Sequence, residues 1–135
     1  MTSKLLFLTA LIPLLLVPLV NAVPAISITL FNDLDSQNFV QIGKPLLYVN
    51  GTNYHVKETL KSVAEYTYPF VTLNLNFLDK KSGSLINTAA PSTNDTVIHN
   101  MSPNQTGHFD MDTGYTKAQG DKEFPYFNIT IGVVV

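Results

Sequence analysis

Three side chains able to bind a cation recur at every second position of His108-Phe109-Asp110-Met111-Asp112. In a strand, alternate residues share one face, so His108, Asp110 and Asp112 would project together along ~13 Å. Neighbours two apart sit ~6.5–7 Å from one another, which suits two of them sharing a cation better than all three. Asp110-x-Asp112-x-Gly114 has the opening spacing of a calcium loop, but the twelfth position is Asp121, where an EF-hand closes with a bidentate Glu. Asp33 and Asp35 form a second acidic pair. Loops at one end of a β-sandwich can gather carboxylates around Ca2+, so His108, Asp110, Asp112, Asp33 and Asp35 make up the candidate metal set. The competing explanation is commonplace, since Asp forms turns through its own side chain and a polar strand face is ordinarily just solvated.

Catalytic chemistry has thin support. There is no Cys, no Gly-x-Ser-x-Gly elbow, and no partner near His55, His99 or His108 in the sequence. A pair of carboxylates for glycoside hydrolysis is defined by distance and not by sequence, so a small carboxylate-dependent hydrolase stays only as a minor alternative. The chain is read as a non-enzyme. Among the aromatics, Tyr48, Tyr54 and Tyr115 stand beside turns or strand ends, where a ring can stack on a ligand.

These side chains need a scaffold, and the chain supplies one short domain's worth: 135 residues, 45% hydrophobic and 13% charged. All eight basic residues are Lys, and the net charge of −2 leaves no basic footprint for nucleic acid. Residues 1–22 have the three-part pattern of a secretory signal peptide: Lys4, an uncharged run from Leu5 to Val20, and Val20-Asn21-Ala22 before the expected cleavage. Pro13 and Pro18 interrupt that run, and it falls short of the ~20 residues that span a bilayer. The expected mature domain is Val23–Val135, with a net charge of −3 once Lys4 is lost and with no transmembrane anchor. Secretion agrees with five N-glycosylation triplets, at Asn50, Asn94, Asn100, Asn104 and Asn128. Pro103 directly follows the Asn100 triplet and weakens it.

The mature chain reads as strands. Ile26–Leu30 alternates apolar and hydroxyl residues, and Asn38–Ile42 and Pro45–Val49 are further β segments. Asn50-Gly51-Thr52-Asn53 suits a type I′ hairpin. Phe70–Leu78 is the clearest strand, with Val71, Leu73, Leu75 and Phe77 on one face. Leu85-Ile86, Thr96–Met101, His108–Met111 and Phe124–Val135 complete the set, with Thr88–Thr93 as loop and a turn at Thr113-Gly114. In the last strand, alternation sends Phe127, Ile129, Ile131 and Val133 to one side and Asn128 to the other. His55–Tyr66 fits a short helix as well as a strand, because Val56, Leu60, Val63 and Ala64 follow helical spacing.

About seven or eight short strands with frequent turns describe an all-β fold, a single antiparallel β-sandwich, with a closed β-barrel as the alternative. Ile26–Asn32, Asn38–Val40 and Thr106–Asp110 are similar in rhythm to aegerolysin-type β-sandwich lipid binders. No functional motif is shared, and the lack of Trp and the presence of a leader depart from that family. The resulting expectation is a secreted, N-glycosylated protein that acts by surface binding to an extracellular protein or glycan. The alternative is a β-sandwich that binds a lipid or membrane surface.

Overall fold

Strand elements dominate the computed structural model, which describes residues 26–89 and 96–135. The leader at 1–22 and the Asn94 triplet lie outside the described residues. In chain order the strands are β1 (Ile28–Leu30), β2 (Phe39–Gln41), β3 (Leu46–Asn50), β4 (Asn53–Ser62), β5 (Tyr68–Asp79), β6 (Leu85–Ala89), β7 (Ile98–Met101), β8 (Thr106–Thr116) and β9 (Phe127–Val134). Among the described residues one α-helix, α1 (Lys117–Glu123), precedes β9.

The strands form two sheets. In the first, the order is β1-β9-β5-β6, and β7 pairs with β5 beyond the stretch taken by β9. In the second, β4 is the hub: β2 and β3 share one of its edges and β8 runs along the other. No closed barrel forms, and the architecture is an all-β sandwich. Pairing is antiparallel except for β1, which lies parallel to β9.

Period-two burial places the core between the sheets. Val71, Leu73, Leu75 and Phe77 of β5 face Val56 and Leu60 of β4 and Phe109 and Met111 of β8, all buried. Phe77, Tyr115, Phe124 and Phe127 close one end as an aromatic cluster, with ring centroids from 4.9 Å (Phe77–Tyr115) to 6.4 Å (Phe124–Phe127).

Several expectations change. The stretch His55–Tyr66 contains no helix; residues 53–62 are strand β4. A spacing of four is also a multiple of two, so Val56 and Leu60 satisfy both periods, while Val63 and Ala64 lie beyond the strand end. The hairpin loop is Gly51-Thr52, and only Gly51 has positive φ (64°), the pattern of a type II′ turn rather than type I′. Thr113-Gly114 is not a turn after a strand but a bulge inside β8, where the pairing to β4 slips between Asn53 and His55. The helix that does form follows Thr116, whose side chain accepts from Gln119 N at 3.2 Å while Gln119 Oε1 accepts from Thr116 N at 3.0 Å.

Candidate functional site

The outer face of the second sheet collects the polar chemistry of the chain. On β4 the inward positions are Val56, Glu58, Leu60 and Ser62, which leaves His55, Lys57 and Thr59 outward. On β8, Phe109, Met111 and Thr113 point in, so His108, Asp110 and Asp112 point out together, as the alternation requires. Register then sets the cross-strand pairs Thr59–His108, Lys57–Asp110 and His55–Asp112.

His55 sits between the two carboxylates. Its Nδ1 is 3.2 Å from Asp110 Oδ1, and its Nε2 is 3.9 Å from Asp112 Oδ2. Each carboxylate has further partners. The Tyr48 hydroxyl, reaching over from β3, donates to Asp110 Oδ2. Asn53 Nδ2 donates to both oxygens of Asp112, at 3.1 and 3.3 Å, and Gly114 N donates to Asp112 Oδ1 at 2.8 Å. The bulge makes that last bond, since Gly114 adopts φ +76°, which residues with a Cβ rarely reach. Burial, then the neighbouring Asp110, push the Tyr48 phenol up to about 12, so it remains a donor throughout the physiological range. Lys57 Nζ lies 4.7 Å from the centre of the Tyr48 ring. Beside this cluster, Thr59 Oγ1 and His108 Nδ1 share a hydrogen bond of 3.1 Å over a shallow depression of about 270 Å3, lined by Lys57, Thr96 and Asp110 among others.

The proposed metal set is only partly assembled. Asp110 and Asp112 flank His55 rather than joining His108, which pairs with Thr59. Asp33 accepts from Ser36 N at 2.7 Å in its own turn. It leads into β2, whose Phe39 pairs with Ser62, whereas Asp110 and Asp112 pair with Lys57 and His55, five and seven residues back along β4. At ~3.3 Å per residue, Asp33 and Asp35 belong to the other end of the sheet and do not converge on Asp110 and Asp112. Asp121 is tied to Lys117 Nζ at 2.5 Å and to the Tyr54 hydroxyl, away from any calcium loop. Among the described residues, no group of three or more His, Asp or Glu side chains is arranged to hold a metal ion.

Of the three stacking candidates, Tyr115 is out of reach of a ligand, while Tyr48 and Tyr54 are half-buried. Tyr115 is buried in the aromatic cluster, and the Tyr54 ring packs on Phe124 at 5.2 Å. Tyr48 has its ring beside Lys57. Among the described residues, the exposed tyrosines are Tyr126, 70% exposed, and Tyr66. Among the glycosylation triplets, Asn50, Asn100, Asn104 and Asn128 are all exposed, and Asn128 stands on the solvent side of β9 as the alternation required. Asn100 and Asn104 both have positive φ, which Asn tolerates better than most residues.

Sequence reasoning missed His55, Asn53 and Lys57. Nothing local marks His55 and Asn53, because their partners lie more than fifty residues away on β8, and Lys57 meets the Tyr48 ring only once β3 and β4 pair. No protein-family model matches this chain, and comparison with curated proteins and with solved structures finds no match.

Proposed function

We propose that this chain is a secreted, N-glycosylated β-sandwich that acts by surface binding to an extracellular protein or glycan, through the outer face of β3, β4 and β8. The observation that carries this reading is the pre-set polar cluster: Tyr48, Asn53 and Gly114 hold Asp110 and Asp112 around His55 on an outward sheet face. Side chains already fixed by such bonds lose less conformational freedom when a partner's hydroxyl or amide groups dock on them. The address and the exposed Asn50, Asn104 and Asn128 triplets support an extracellular setting, and the cluster lies on a different sheet from Asn128. The test combines glycopeptide mapping of the secreted protein with binding to a glycan panel and cross-linking on the cell surface. D110N together with D112N should abolish the captured interaction while leaving secretion intact. Unchanged capture by that double variant would remove this face from the reading.

A membrane-surface reading has one observation of its own. Val40, Ile42 and Leu46 are exposed along the same sheet face, in register with Lys61, Thr59 and Lys57. An apolar stripe beside Lys side chains suits an anionic bilayer surface. Liposome co-sedimentation separates the two readings, because absence of binding to both neutral and anionic vesicles eliminates this one.

A further inference from the structure

Two of the glycosylation triplets carry a tyrosine two residues ahead of the asparagine: Tyr48 before Asn50 and Tyr126 before Asn128. Tyr48 is already committed, with its hydroxyl on Asp110 and Lys57 over its ring. Tyr126 is 70% exposed, and the bonds around it are made by backbone. Lys80 N donates to its carbonyl at 2.9 Å, and Lys80 Nζ donates to the Pro125 carbonyl at 3.4 Å. A ring left that open adds little to the core.

The surroundings of Asn128 are apolar where the rest of this sheet face is not. Asn128 stands outward on β9 directly across from Leu78 of β5, which pairs in turn with Leu85 of β6. Leu78 is half-buried and Leu85 is 61% exposed. Two residues further along β9 the chemistry changes, for Thr29, Thr130, Asn76 and Thr88 lie side by side across β1, β9, β5 and β6. Cross-strand neighbours bring their Cβ atoms to ~4.5–5.5 Å, so a group attached to Asn128 has Leu78 beside it. Tyr126 lines an open hollow of about 400 Å3 with Asp79, Lys80 and Lys81, the residues that follow Leu78. Asn128 therefore borders that hollow on both sides, two residues along the chain from Tyr126 and one strand across from Leu78.

We propose that Asn128 carries an N-glycan whose first sugar, an N-acetylglucosamine, lies down on this corner against Tyr126 and Leu78 and serves the fold as a cover. The inference rests on the secreted, N-glycosylated reading. In the transfer, the Asn128 amide nitrogen bonds to the anomeric carbon of a lipid-pyrophosphate-linked oligosaccharide. The bond from that carbon to the pyrophosphate oxygen breaks, and the leaving pyrophosphate takes up one amide proton. A pyranose has an apolar face of axial hydrogens and a polar rim. Stacked on Tyr126, it takes apolar surface of both rings out of water while its hydroxyls stay wet.

The experiment uses the secreted mature chain with every glycan trimmed to its first N-acetylglucosamine. Mass mapping should find that sugar on Asn128, and the Tyr126 ring protons should show nuclear Overhauser contacts to it. N128Q should lower Tm by roughly 4 °C, as loss of one aromatic contact does in a domain of this size. Y126A should lower Tm by a similar amount in the sugar-bearing protein and have no effect in N128Q, because the two groups act as a pair. Sugar on Asn128 without contact to Tyr126, or equal Y126A losses in both backgrounds, overturns the cover and leaves the glycosylated reading intact. Sugar on other triplets but none on Asn128 overturns it too, and no sugar on any triplet removes the underlying reading with it. Self-association of the sugar-bearing chain that L85S abolishes would give the corner to a second copy and overturn the cover. The contact measurement decides even if Y126A fails to fold.

Discussion

Tyr48 illustrates how one residue can look like one thing in a sequence and act as another in a fold. Beside a turn it reads as a ring free to stack, yet its hydroxyl is committed to Asp110 and its ring lies beside Lys57. Its role is to hold a carboxylate in place. Y48F removes one hydrogen bond to a carboxylate that is partly open to solvent, without disturbing the ring, and the expected loss is about 0.5–1.5 kcal/mol in urea unfolding. The same variant should weaken partner capture in the binding assay, because Asp110 loses its anchor from β3. Loss of stability without any change in capture would make the bond purely structural.

Among the elements, α1 is the one the hydrophobic pattern concealed. Lys117–Glu123 buries only Gly120, so it presents no apolar stripe for a periodicity scan to find. Its signal was local instead: Thr116-x-x-Gln119 is a capping box, and both reciprocal bonds are made. T116A should cost about 1 kcal/mol of stability, read as a lower urea midpoint with an unchanged slope. Gly120 is needed for another reason, since a Cβ there would lie 2.4 Å from the Tyr54 ring and 2.7 Å from Phe124. Without a side chain at that point, the helix seats against the aromatic end of the core.

At the scale of the molecule, stability rests on the inter-sheet core, for the chain has no Cys. Phe77 is fully buried and touches the rings of Tyr115, Phe124 and Phe127, so it joins β5, β8, the segment after α1 and β9. F77A should lose about 3–5 kcal/mol, enough to leave a small domain largely unfolded at 37 °C, as circular dichroism melts would report. A Tm within a few degrees of the parent would mean that the aromatic end is not the keystone of the fold.

Alternation along β5 and β9 carried the sandwich, because a two-residue period with one apolar face is a local property of the chain. The outward placement of Asn128 followed from the same period, as did the shared face of His108, Asp110 and Asp112. By itself, then, the sequence determined the fold class, most strand positions and the sidedness of β8. The helical alternative at 55–66 arose because a spacing of four serves both periods, and packing against β8 decided it for strand. Pairing between distant strands was decided only in three dimensions. The register of β4 against β8 brings His55 to Asp110 and Asp112, and the length of β4 keeps Asp33 and Asp35 at the other end of the sheet. Glu58 reads in the sequence as one more polar residue in a mixed strand. It is the tertiary structure that turns it inward opposite Phe109, because register and layer packing are properties of pairs of strands and leave no mark in either one alone.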